Sequence, residues 1–195
     1  MKRILIVLAH PDAEKPHYCH ALAEAYQTAA EEAGHGVRLL DLGKLDVPLL
    51  RSKSEWQSED DIPEFVVAGQ EAIYDADHLL FIYPLWLGTM PALLKAWLEQ
   101  VLRESFAFEF GGSGKTWRSR LKGRSARIVI TMGMPAFVYR WFFLSHSLRS
   151  FERNILKFCG IKPIRTSLIG LVDSESDRAR RKWLQRMREF GRAAS

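Results

Sequence analysis

Cysteine is nearly absent: Cys19 and Cys159 are the only two, far apart in the chain. Such a pair makes neither a disulfide framework nor a CxxC metal knuckle. It suits small core thiols in a reducing cytoplasm. Long apolar runs are missing too. Ile4–Ala9 is typical of them, and it is far shorter than the roughly 20 residues a bilayer span needs. Met1-Lys2-Arg3 resembles the opening of a signal peptide, but His10-Pro11-Asp12 ends the apolar run too early. The chain also lacks repeats, low-complexity tracts and Pro/Gly linkers, so residues 1–195 read as one domain. Its 47% apolar and 26% charged fractions exclude a largely disordered or fibrous protein.

Acidic residues are scarce in the second half. Residues 1–110 carry 9 Lys+Arg against 18 Asp+Glu, whereas residues 111–195 carry 19 against 5. A basic half suits phosphate-bearing cofactors, anionic lipid or nucleic acid, or simply solvates helix faces. No nucleic-acid-binding motif accompanies the charge, so nucleic acid is not expected as a partner. Arg118, Arg120, Lys122 and Arg124 are candidates to meet a dinucleotide phosphate. The arginines of 178–192 read as a solvated helix face.

Five short apolar runs are present, each of strand length: Ile4–Leu8, Val37–Leu42, His78–Tyr83, Arg127–Thr131 and Ile164–Leu171. Helical patterns separate them. His17–Ala33 is rich in Ala and Glu and is stopped by Gly34 and Gly36, and Ile62–Tyr74 follows a long polar connection at 43–61. Pro91 suits a first helical turn, and Leu94, Trp97, Leu98, Val101 and Leu102 then share one helix face. Phe137–Phe158 reads as mostly helical. Asp173 or Ser174 caps a last helix running to Phe190. Strands buried on both faces and alternating with helices predict a three-layer α/β sandwich around a five-stranded parallel sheet, in the flavodoxin-like order 2-1-3-4-5. Ligands of such sheets bind beyond the carboxyl ends of the strands, where strand order reverses. That rule nominates the loops at 9–17, 84–90 and 131–139.

The first loop, Ala9–His17, precedes a helix whose unpaired N–H groups form an anion site, with Lys15 adding charge and His17 a donor. The second, Pro84–Pro91, offers flat apolar surface and backbone polar groups to a planar aromatic ligand. In the third, Gly133 permits close backbone approach. Tyr139 and His146 beyond it are candidate proton or hydrogen-bond donors. Phe106–Phe110 alternates aromatics, as a pocket lining or a short extended arm does. Two motifs mislead. Gly111–Thr116 ends like a phosphate-binding P-loop, but the leading glycine position holds Glu109. Ala9–Glu14 is similar to the AHPDDE signature of zinc-dependent N-acetylsugar deacetylases, but Ala13 replaces a metal ligand, and His10 with His146 falls short of three ligands.

Taken together, ILIVLAHP (4–11), YPLWLGTMPALLKAWLEQVL (83–102), FAFEF (106–110), ITMGMPAFVY (130–139) and ILKFCG (155–160) resemble the flavodoxin-like NAD(P)H:quinone oxidoreductases, including the modulator-of-drug-activity and potassium-efflux ancillary types. The resemblance implies a flavin that takes hydride from NAD(P)H and reduces a quinone-like acceptor. It places flavin phosphate at His10, Pro16 and His17. The ring system falls against Leu85, Trp86, Leu87 and Gly88, with Thr131, Met132, Gly133, Met134 and Tyr139 at its other contacts. Phe108 and Phe110 match acceptor-pocket positions. The resemblance also implies a homodimer whose active site is completed across the interface. Lys15-Pro16-His17 and Met134 depart from the family pattern. The long C-terminal extension of larger members is missing, which favours FMN over FAD. Two other readings are a flavodoxin-like regulatory subunit touching a membrane transporter, and the zinc deacetylase.

Overall fold

A computed structural model describes residues 1–58, 62–111, 116–174 and 176–195. Strands β1 (Arg3–Leu8), β2 (Gly36–Asp41), β3 (His78–Pro84), β6 (Ser125–Thr131) and β7 (Ile164–Ile169) form one sheet. Its order is β2-β1-β3-β6-β7, and every pairing is parallel. This is the expected 2-1-3-4-5 arrangement of the core strands. Strand periodicity explains the layers. Leu5 and Val7 of β1 point into one apolar cluster, and Ile4, Ile6 and Leu8 into another. The first cluster is covered by α3 (Glu64–Asp75) and α4 (Ala92–Val101), through Val66, Ile73, Leu94 and Trp97. The second is covered by α1 (Tyr18–Glu32) and α7 (Asp177–Ala193), through Leu22, Tyr26 and Met187. A Cβ on Gly191 would lie 2.3 Å from the Tyr26 carbonyl oxygen, so glycine lets α7 press onto α1.

One detail takes an alternative the sequence offered, and three differ from the sequence reading. Phe108–Phe110 (β4) pairs antiparallel with Trp117–Ser119 (β5) in a small separate ribbon, the extended form its alternating aromatics favour. The polar connection holds a short helix, α2 (Lys53–Gln57), capped by Ser52. The expected helix at 137–158 is broken: α5 (Ala136–Trp141) and α6 (His146–Ser150) flank a corner where Leu144 and Ser145 take left-handed φ values of 52° and 51°. A π-helical turn, Phe151–Lys157, continues α6. Finally, α7 is capped by Ser176, whose hydroxyl accepts from Ala179 N at 3.3 Å, rather than by Asp173 or Ser174. The Ser174 hydroxyl instead donates to the Leu171 carbonyl at 3.4 Å. Four residues of the P-loop-like stretch, 112–115, lie outside the described residues. Among the described residues no helix is long and apolar enough to cross a membrane.

Candidate functional site

Strand order reverses between β1 and β3, and a cleft of about 490 Å³ opens beyond their carboxyl ends. It brings together eight of the expected residues: His10, Pro16 and His17 after β1, Leu85 and Trp86 after β3, and Thr131, Met132 and Gly133 at the end of β6. The volume lies within the roughly 300–1,000 Å³ of small-molecule sites.

One end of the cleft is polar and built around the start of α1. The His10 and His17 rings stack with centroids 3.7 Å apart, and His20 lies 5.8 Å from each. His17 Nε2 is 2.8 Å from Asp12 Oδ2, and Asp12 N donates to His10 Nδ1 at 3.2 Å. His17 N in turn donates to His20 Nδ1 at 3.2 Å, which fixes the helix entry. Burial, then the neighbouring His17 charge, holds the His10 pKa below the usual imidazole value, while the hydrogen bond from His17 holds the Asp12 carboxyl below its own. A helix N-terminus flanked by imidazoles fits a phosphate: the helix end attracts anions, and His10, whose Nδ1 accepts from Asp12 N, keeps its Nε2–H to donate.

The other end is flatter and apolar. Trp86 N donates to Thr89 O at 2.9 Å, and Thr89 N returns a bond to Trp86 O at 3.0 Å. Leu87 and Gly88 form the two-residue turn between them, with φ of 45° and 79°. The Trp86 ring meets His10 edge-on at 6.0 Å, so the apolar wall joins the imidazole end. Cys19 Sγ lies 3.3 Å from Thr131 Oγ1, and burial pushes its thiol up to about 11, so Cys19 is a neutral packing group.

The remaining expected residues fall elsewhere. Lys15 is exposed beside the loop and does not line the cleft. Leu87 projects wholly into solvent, and Gly88 serves the turn. Met134 packs against the core. Tyr139 is buried and is not among the residues lining the cleft; its hydroxyl lies 2.8 Å from Ser147 Oγ and accepts from Leu148 N at 3.1 Å, which ties α5 to α6. His146 is exposed on α6, also away from it. Phe108 lines a different, more apolar cavity of about 610 Å³ with Trp56, Leu98, Leu102 and Phe158. Phe110 sits half-exposed against Phe108, 5.4 Å between centroids.

The sequence reading missed Tyr18, Val172, Asp173 and Arg180 at the cleft. A Cβ on Gly133 would lie 2.9 Å from Asp173 Oδ2, so glycine there admits the carboxylate. Arg180 donates to the Val172 carbonyl at 2.9 Å and holds its guanidinium 5.7 Å above the Tyr18 ring. The signal available was topological, since residues 170–174 follow the last strand at the same end of the sheet. Among the described residues, no group of three His, Cys, Asp or Glu side chains is placed to hold a metal ion.

A family model described as a flavodoxin-like fold matches residues 2–190. The chain belongs to that family. It is 28% identical over 184 residues to an uncharacterized NAD(P)H oxidoreductase of Haemophilus influenzae, covering 93% of this chain and 90% of the relative. The solved structure of an NAD(P)H:quinone oxidoreductase from Methanothermobacter marburgensis superposes with a TM-score of 0.85 at 26% identity, covering 100% of this chain and 99% of that one. An ancillary protein of a glutathione-regulated potassium-efflux system from Cronobacter sakazakii is 39% identical over 88 residues, 43% of this chain and 45% of the relative.

Proposed function

We infer that the protein is a flavin-dependent NAD(P)H oxidoreductase that reduces a quinone-like acceptor, with FMN as the flavin. The observation that carries the reading is the cleft at the strand-order switch, where a phosphate-suited imidazole cluster and an apolar wall face one space. His10 and His17 hold the phosphate at the start of α1. Asp12 positions His17 through the 2.8 Å contact. Leu85, Trp86 and Met132 would shield the ring system from water, and backbone polar groups around Gly133 would be available to it. A bound flavin supplies the redox chemistry, accepting hydride from the nicotinamide and passing reducing equivalents to the acceptor. FMN is favoured because the cleft has one phosphate-suited cluster.

The Haemophilus and Methanothermobacter relatives support the donor and the acceptor class. The family resemblance implies a homodimer, for which the half-exposed Phe110 and Trp117 of the β4–β5 ribbon would supply apolar surface. The two buried free thiols suit a cytoplasmic setting. The potassium-efflux relative favours a second reading, in which the flavoprotein also contacts a membrane transporter. One experiment tests the main reading: released cofactor is identified by mass, and NADH and NADPH oxidation are followed with a soluble quinone. FMN with quinone-dependent turnover supports it. A protein that binds neither flavin contradicts it.

A further inference from the structure

The α5–α6 corner carries the most exposed aromatic surface outside the cleft. Trp141 is 74% exposed, Phe142 78% and Phe137 67%, and Phe143 and Leu144 beside them are nearly half exposed. A left-handed turn at Leu144 and Ser145 pushes these side chains out as a knob. Contiguous exposed apolar surface of this kind marks an interaction site. Beside the knob, and sharing Phe137, Arg140 and Trp141 with it, runs a groove of about 660 Å³ along β7 and α7. Arg165 and Arg186 line it, and no Asp or Glu does. Arg140, Arg165 and Arg186 have no ion-pair partner among the described residues. Arg186 instead stacks on Trp183, 4.9 Å from the ring centroid. The sequence leading through the corner is free of acid, with no Asp or Glu from Phe110 through Phe151, and Glu189 of α7 does not line the groove.

We propose that this corner seats the protein on an anionic phospholipid bilayer, with Trp141, Phe142 and Leu144 in the interface and the Arg140–Arg165–Arg186 groove on lipid phosphates. Three arguments select this occupant. Aromatic and aliphatic side chains flanked by arginine are the composition that enters the headgroup boundary, and a protruding knob needs no matching pocket there. Unpaired guanidiniums are attracted to a negative lipid surface. A second copy fits poorly, because a two-fold contact centred on this groove sets its arginines against their own copies, and no Asp or Glu lines the groove to relieve them. None of the groove residues lines the cleft, so the inference stands apart from the redox reading. The corner leaves the carboxyl end of β6, the same end of the sheet at which Leu87 is wholly exposed.

The test is co-sedimentation of the full chain with vesicles of phosphatidylcholine alone and of phosphatidylcholine mixed with phosphatidylglycerol. Binding is expected to the mixed vesicles and to weaken with added salt. Arg140→Gln lowers the partition constant about fivefold. Trp141→Ser with Phe142→Ser lowers it on the order of tenfold, with unchanged circular dichroism because both side chains are exposed. Brominated lipid quenches tryptophan fluorescence in the parent and less so in Trp141→Phe. Equal binding to neutral vesicles, no binding, or binding indifferent to the Trp141 and Arg140 changes overturns the proposal. So does self-association lost in the same variants without vesicle binding, which assigns the knob to a second copy. Binding only to vesicles carrying a membrane protein assigns it to that protein and overturns it equally.

Discussion

Acid will weaken this fold through one imidazole far from the cleft. His78 begins β3 and is 1% exposed. Its Nδ1 lies 2.8 Å from Ser125 Oγ, and its Nε2 is buried without a partner. Burial, then the positive charges of Lys2, Arg127 and Arg165, push its pKa down to about 3. In the unfolded chain the same ring titrates near ~6.5. Between those values the unfolded state takes up a proton that the native state refuses. Stability is therefore full above the unfolded value and is lost as the pH falls toward the native one. At pH 5 the gap is ~1.5 units at ~1.4 kcal/mol each, so His78 alone costs about 2 kcal/mol relative to neutral pH. With a urea slope near ~2 kcal/mol/M, that is about 1 M of midpoint. Urea unfolding at pH 7, 6 and 5 measures it in the parent and in His78→Asn, whose amide can keep the Ser125 bond. The variant should lose about 2 kcal/mol less over this range, whatever its offset at neutral pH. Equal pH dependence in the two proteins would refute the reasoning.

Other predictions concern the cleft and its supports. His17→Ala removes the ring that Asp12 orients, and FMN affinity should fall on the order of tenfold by fluorescence titration. Tyr139→Phe should leave quinone turnover within about twofold and lower unfolding free energy by ~1–2 kcal/mol, through the lost bonds to Ser147 and Leu148 N. A large loss of turnover in a stable variant would restore Tyr139 to the chemistry. Leu87→Asn should stabilise the fold by roughly 0.5–1 kcal/mol in urea, because asparagine tolerates the left-handed turn and no apolar contact is lost at this exposed position. Trp97→Ala should cost ~3–5 kcal/mol, since the ring is fully buried between α4 and the sheet.

The sheet was legible because parallel strands buried on both faces announce themselves as unbroken apolar runs, as Leu79–Tyr83 does. Three cleft loops followed from the order of those strands, and the structure brings residues from each of them together. The misses have physical causes. The break at Phe142–Ser145 carries no Gly or Pro, and its two left-handed residues are held by tertiary bonds such as Leu148 N to Tyr139 Oη, which no local pattern reveals. Asp173 and Arg180 reach the cleft through a loop and a helix contributed by the far end of the chain. Phe108, placed in an acceptor pocket by resemblance, lines a second cavity beside Trp56 and Phe158. The lopsided charge resolves into groups with different work. Arg127, at the floor of the groove, is tied down by Ser167 and Ser195, while Arg140, Arg165 and Arg186 line the same groove without an ion-pair partner among the described residues.

The most direct test of the central claim is flavin titration of the purified protein, followed by visible absorbance and flavin fluorescence. The cleft predicts stoichiometric FMN binding with shifted flavin bands and quenched fluorescence, weakened in both His17→Ala and Trp86→Ala. A folded, colourless protein whose spectrum does not respond to FMN or FAD would contradict it.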